Sequence, residues 1–270
     1  MCILFIYNGN EDVESDYRLI IATNRDEFYE RPAQIMAPWE GQADVLAGKD
    51  VRGGGTWLAL SAVTKKIGVL LNHPVAPTKT AVKSRGKIAI DYVKGGLSIR
   101  EFVDSMREYF QECPGFIFVS LDFGNDYTKV HSYTKNTDNL EEHSEKYLGF
   151  GNSAPATPFK KVQAGRQRMQ GVCQRLNKIH MKEQLVNELI ELLRWEEKHL
   201  PDQVIEGQHP DNYKHLSSVY VHVPNIYGTR THTLVLITKD GGMDVIEVTL
   251  RAPIDSQKPN WEKTKFRFKL

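Results

Sequence analysis

An α+β fold is what this 270-residue chain predicts. Three observations carry the prediction. Short runs rich in isoleucine, leucine, valine and tyrosine stand at both ends of the sequence, polar or glycine turns join neighbouring runs into hairpins, and amphipathic segments with helix-start signals lie between them. The resulting order is strands, helices, strands, helices, strands.

Residues 2–7 and 17–23 flank a polar turn at 8–15 and form the first hairpin. Gly53, Gly54 and Gly55 lead into residues 56–61, and Lys65-Lys66 precedes 67–71, which predicts a second hairpin, so that four strands come first. Residues 84–93 and 98–110 follow as helices. In the second, Ser98 and Glu101 make a capping box while Ile99, Phe102, Val103, Met106 and Phe110 share one face. Residues 116–122 are almost continuously apolar, as in a strand covered on both faces, and 129–133 form the next strand. Thr157 and Pro158 predict the cap and first residue of a long helix ending at 179. A further helix over 182–199 places Leu185, Leu189, Leu192 and Leu193 at helical spacing and stops at Pro201. Residues 202–215 read as a polar loop suited to a lid. Strands return at 218–222, 229–238, 243–250 and 264–268. No repeat, low-complexity stretch or linker interrupts the order, which predicts one domain over residues 1–270.

Lysine plus arginine (35) nearly balance aspartate plus glutamate (34), leaving net charge +1. No global field then draws the protein to nucleic acid or an anionic membrane, and a local site must choose the partner. Three cysteines, Cys2, Cys113 and Cys173, form neither a C-x-x-C pair nor an even set, which points to a reducing compartment and away from a disulfide scaffold. The opening apolar run is too short for a signal-peptide core or a membrane span, and no later stretch spans a bilayer, so membrane contact is expected to be peripheral. No metal trio is legible among the histidines. The glycine triplet precedes a strand, which excludes a P-loop.

Cys2 is the first chemically informative residue. With Met1 removed, one residue carries both a thiol and an α-amine, and those groups titrate within about half a unit of each other, near pH 8. That is the plan of an N-terminal nucleophile; the competing reading is a buried strand cysteine. Asn72 and Asn152 stand at element ends where side-chain amides stabilise an oxyanion, or simply make turns. Arg25 and Asp26 follow the second strand, where a carboxylate holds an ammonium and an arginine favours a thiolate; a surface salt bridge is the alternative. Arg230 enters a strand, where a charge needs a partner such as a ligand or Glu247. Phe28, Tyr29, Trp39 and Trp57 are candidates for an apolar pocket wall, and Cys2, His73 and Cys113 for axial heme ligands.

The run Ala22-Thr23-Asn24-Arg25-Asp26-Glu27-Phe28, with Arg31-Pro32, Gly54-Gly55-Thr56-Trp57-Leu58-Ala59 and Tyr227-Gly228-Thr229-Arg230-Thr231, closely resembles the NRDE-domain proteins, the transport and Golgi organisation family. The resemblance covers essentially the whole chain. It implies roles in heme mobilisation, in lipid and acyl-CoA homeostasis, and in Golgi and mitochondrial organisation. The expectation is a small-molecule carrier in the cytoplasm, associated with mitochondria and Golgi. Heme or an acyl-lipid is the cargo, and no cofactor is required. Asn24, Arg25, Asp26, Glu27, Trp57, His73 and Arg230 are its candidate ligand contacts.

A fainter resemblance is to choloylglycine hydrolases and penicillin V acylases. It implies a four-layer αββα sandwich of the N-terminal nucleophile type, with Cys2, Asp26, Asn72, Asn152 and Arg230 gathered at one end. The alternative function it implies is hydrolysis of a carbon–nitrogen bond with Cys2 as nucleophile. This chain departs from that pattern at Thr23, where the acylases place an arginine, and Arg25 lies two residues later. Support for a thiolate is therefore expected to differ.

Overall fold

A computed structural model describes residues 1–74, 83–124 and 127–270, and the chain divides into two compact units. The first contains Met1–Glu30 and Glu145–Lys269; the second contains Arg31–Ser144 with Leu270. Each unit combines helices with an antiparallel sheet, so the α+β class holds.

The expected first hairpin is present as β1 (Ile3–Asn8) and β2 (Tyr17–Phe28), with Ile3 opposite Asn24 and Asn8 opposite Leu19. The chain then builds the second unit from β3 (Ala33–Trp39), β4 (Gln42–Asp50), β5 (Leu58–Ser61) and β6 (Lys66–Asn72). Among the described residues six strands, not four, thus precede the helices. The additional pair, β3 and β4, is largely exposed at its outer residues and irregular in register, so it lacks the alternation by which a half-buried strand is recognised. The glycine turn behaves as expected: Gly54 has φ +68° and the Gly53 N–H donates to Asp50 Oδ1 at 2.7 Å.

α1 (Ile88–Lys94) and α2 (Ile99–Gln111) come next. Both bonds of the Ser98–Glu101 capping box form, and Ile99, Phe102, Val103 and Phe110 are buried. β7 (Phe116–Asp122), β8 (Lys129–Thr134) and β9 (Asn139–His143) complete a sheet in the order β3-β4-β5-β6-β7-β8-β9. Its core is aromatic. Phe118 lies 5.4 Å from Tyr92 and 6.1 Å from Phe102, centroid to centroid, and Phe110 packs on Phe116 and Tyr133.

The first unit resumes with β10 (Tyr147–Phe150), α3 (Lys160–Arg175), α4 (Lys182–Leu193), α5 (Gln203–Gln208) and α6 (Tyr213–Leu216). It ends with β11 (His222–Val223), β12 (Tyr227–Thr238), β13 (Gly242–Leu250) and β14 (Trp261–Lys269). The sheet order is β10-β1-β2-β12-β13-β14, with β11 on β12. Phe5, Ile20, Leu234, Leu236 and Ile246 join Val162, Met169, Leu185 and Leu189 in one apolar core. α3 approaches β1 so closely that a Cβ at Gly165 would lie 2.1 Å from the Phe5 ring.

Several expected boundaries change. α3 starts at Lys160 rather than beside Thr157 and Pro158, because its first turn is satisfied by a distant group: Asp202 Oδ2 accepts from Lys160 N at 2.6 Å. It stops at Arg175, and α4 stops at Leu193. The expected loop at 202–215 contains α5 and α6. Asp202 caps α5 by accepting from Val204 N and Ile205 N, and Ile205 is buried, so local capping and one apolar anchor order a polar segment. The strand expected at 218–222 is reduced to β11. Among the described residues, no helix is long and apolar enough to cross a membrane.

Candidate functional site

Arg25 and Asp26 do not lie in a turn after the second strand; they are inside β2. The polar run stays extended because β2 is a central strand. Its neighbour β1 sets Ile3 against Asn24, where that ladder ends, and its other neighbour β12 carries the pairing on, with Thr231 opposite Arg25 and Thr229 opposite Asp26. Asn24, Arg25 and Asp26 are all buried, whereas Glu27 is half-buried and Phe28 exposed.

Asp26 organises the local chemistry. Its Oδ1 accepts from the Thr229 hydroxyl at 2.7 Å, and its Oδ2 lies 3.7 Å from the Met1 amino group. That amino group also donates to the Tyr227 hydroxyl, which in turn donates to the Asp26 carbonyl at 3.2 Å. Cys2 Sγ is 3.9 Å from the same carbonyl. The α-amine that Asp26 holds is therefore Met1's, and the Cys2 nitrogen is a peptide nitrogen. Burial pushes the Asp26 carboxyl above the usual carboxylate range, opposed by the Met1 ammonium and by Lys161. The Cys2 thiol is also pushed up, first by burial and further by the Asp26 charge. The Met1 ammonium opposes this, and Arg25 contributes the smallest pull toward a thiolate. The expected activation by arginine is outweighed by burial.

Arg230 sits where the β2–β12 register shifts, between the pairs at Thr229 and Thr231. Such a bulge re-aims a side chain, and here it lets a buried guanidinium turn toward the end of β2, where Nη1 donates to Phe28 O at 2.9 Å. Asn24 is a framework latch: its Nδ2 donates to Leu193 O at 2.8 Å and Val219 O at 3.1 Å, and Oδ1 meets His232 Nδ1 at 2.7 Å. Arg25 Nη2 lies 3.8 Å from Glu27 Oε2. Asn152 is buried just beyond β10, which pairs with β1 through Phe150 opposite Leu4.

Asn72, His73, Trp57 and Cys113 belong to the second unit, as does Trp39, while Tyr29 is buried in the first. Asn72 is the exposed last residue of β6, opposite Phe116. His73 Nδ1 is 2.8 Å from Asn136 Nδ2, and burial pulls the His73 imidazole below its ordinary value. The Trp57 ring lies against β4 at Gly48, where a Cβ would approach it to 2.4 Å. Cys113 is fully buried near the aromatic core, with Sγ 3.4 Å from Tyr109 O.

Sequence reasoning missed Lys161. It is 1% exposed in the first turn of α3, and its ammonium donates to Ser218 O at 3.1 Å. Burial pulls its pKa down to about 8, while the Asp26 and Cys2 charges resist. A signal was available. Lys161, Gly165, Met169 and Cys173 are spaced four apart and all are buried, so this lysine stands in the apolar stripe of an amphipathic helix.

The sequence profile of the family described as Transport and Golgi organisation 2 matches residues 1–252. The chain belongs to that family. The Drosophila melanogaster Transport and Golgi organization protein 2 is 33% identical to it, over 98% of this chain and 96% of the relative. The Mus musculus and Homo sapiens homologues are 28% and 29% identical, each over 100% of this chain and 99% of the relative. Within the first unit, then, this family member sets Cys2 and Asp26 beside the amino terminus, with Lys161 acting electrostatically on both and Arg25 on Cys2, while Arg230 is turned to the Phe28 carbonyl.

Proposed function

We propose that this family member is an intracellular carrier for an amphipathic small molecule, heme or an acyl-lipid such as acyl-CoA, whose acidic end is received at the polar end of the first unit. One observation carries the reading. Phe28 and Ile226 are 50% and 56% exposed, and Phe28 packs edge-on against Tyr227 at 5.2 Å, the residue whose hydroxyl reaches the Met1 amine and Asp26. An exposed apolar patch thus adjoins the buried Met1–Asp26 pair, which feels the Lys161 charge, and Arg230 donates to the Phe28 carbonyl. Apolar surface retains the body of such a cargo, and cations favour its carboxylate or phosphate. The neutral Cys2 thiol fits binding better than turnover. In this reading the protein moves its cargo through the cytoplasm among mitochondria and Golgi, in keeping with the Golgi organisation for which its relatives are named. The test is titration of the purified protein with hemin and with palmitoyl-CoA. Saturable binding is expected for at least one. Phe28→Ser, at an exposed position, should weaken it on the order of tenfold through lost apolar contact. No saturable binding of either ligand overturns the reading.

A second reading is supported by Asp26 holding the chain's amino group with Cys2 alongside. It makes the protein a cysteine N-terminal nucleophile amidohydrolase within a four-layer αββα sandwich. Its requirement is removal of Met1, after which Cys2 supplies both thiol and amine. Intact mass decides that point. A chain beginning at cysteine should then cleave an amide from a linear panel and lose this on Cys2→Ser; retained Met1, or equal rates in the variant, eliminates it.

A further inference from the structure

Lysine is rarely buried without partners for its charge and its donors. The Lys161 ammonium has three N–H donors and makes one hydrogen bond, to Ser218 O. Polar atoms around it are in the same condition. Ser153 Oγ, His199 Nε2, Gln208 Oε1 and His209 Nε2 are buried without a hydrogen-bond partner, and both imidazoles feel the Lys161 charge. The fold places several of them near the first turn of α3. Asp202 accepts from Lys160 N and caps α5, and the His209 imidazole just after that helix feels the Met1 and Lys161 charges. Ser153 belongs to the turn whose Gly151 packs on Val162, so tightly that a Cβ there would lie 2.8 Å from Val162 Cγ2. Native buried polar atoms nearly always find partners, and a concentration of orphans beside a buried cation marks a place for a polar ligand group. Its sign follows from the charges. Three ammonium groups, those of Met1, Lys161 and Lys198, stand against the two carboxylates Asp26 and Asp202, and Lys198 is held by Ser218 Oγ at 2.9 Å and His215 O, so the balance favours an incoming anion at Lys161.

We infer that Lys161 anchors the acidic group of a bound small molecule, a carboxylate or a phosphate, with Ser153 and His209 completing its hydrogen bonds. This deepens the carrier reading and rests on it for the identity of the rest of the cargo. The groups that face Lys161 electrostatically are Asp26 from β2, Cys2 at the chain start, Lys198 and Asp202 from the segment after α4, and the neutral imidazoles of His199 and His209. Since the lysine loses its proton as pH rises through about 8, anion affinity should fall between pH 7 and pH 9.

The experiment uses the full-length protein with octanoate and inorganic phosphate as separate probes, read by the rise in Tm with concentration, followed by hemin and palmitoyl-CoA. At least one simple anion should stabilise saturably. Octanoate alone identifies a carboxylate site and phosphate alone a phosphate site. Lys161→Met should weaken that anion by about tenfold or more, the scale of a lost charge-assisted hydrogen bond, and should abolish the pH dependence. Where that variant does not fold, Ser153→Ala and His209→Gln serve instead, and at least one must weaken the same anion several-fold. Absence of saturable stabilisation by either anion, or unchanged affinity in the variants, overturns the anchor. Hemin or palmitoyl-CoA binding that survives Lys161→Met unaltered leaves the carrier reading standing without it. Anion binding lost in Lys161→Met, with no hemin or palmitoyl-CoA binding in the parent protein, leaves the anchor and removes the carrier.

Discussion

Each compact unit buries a lysine, and the two are used differently. In the second unit Lys66, at the start of β6, donates to Gly95 O at 3.0 Å and to Leu97 O, and it lies 4.9 Å from the centre of the Tyr92 ring. Its charge fastens the turn after α1 to the sheet. In the first unit Lys161 has one carbonyl, and buried polar atoms without partners stand nearby. Burial pulls both ammonium groups down, so desolvation by itself does not separate a structural lysine from a functional one. Hydrogen-bond satisfaction does, because an ammonium that has exchanged water for protein acceptors has nothing left to offer a ligand.

The contrast extends to the surroundings. The second unit's core is a cluster of aromatic rings, and the largest expected effect is there. Phe118→Ala should cost about 3–5 kcal/mol in urea unfolding, the range for deleting a buried phenylalanine, without changing ligand titrations under folding conditions. A loss of only a few tenths would show that this cluster does not hold the unit together. Next comes Lys161→Met, with the opposite sign. Its folded pKa of about 8 lies below the ordinary 10.5, so the charged form is penalised in full below about pH 8 and the penalty fades between there and 10.5. The variant should therefore be more stable by roughly 2–3 kcal/mol at pH 7, and the parent should approach it as pH rises through that window. Destabilisation by Lys161→Met would make Lys161 structural, like Lys66. The smallest effect belongs to Lys66→Met, which strands two carbonyls and should destabilise by about 1–2 kcal/mol in the same unfolding assay. A gain in stability there would erase the distinction from the other side.

Elements with a local signature were legible. α2 follows from Ser98, Glu101 and a run of apolar residues on one face, and β1, β2, β7 and β8 follow from their composition. β3 and β4 were not, since their outer residues are exposed and the pairing is irregular. Nor was the start of α3, whose first turn is satisfied by Asp202 from beyond α4. At the site, Cys2, Asp26 and Arg230 could be nominated by residue type, but Arg25 and Asp26 read as a turn because four polar residues after an apolar run usually leave the sheet. β12 keeps them in it.

Near neighbours in the chain and motif order suffice for the α+β class, the family, the periodic helices and the residue types available for chemistry. Tertiary structure decided which charged groups lose water and which atoms then satisfy them. The partners of Asp26 come from Met1 and Thr229, those of Asn24 from Leu193, Val219 and His232, and those of Lys161 from Ser218. Such pairings join residues far apart in the chain, and the low polarity of the interior makes each one, made or missing, energetically decisive.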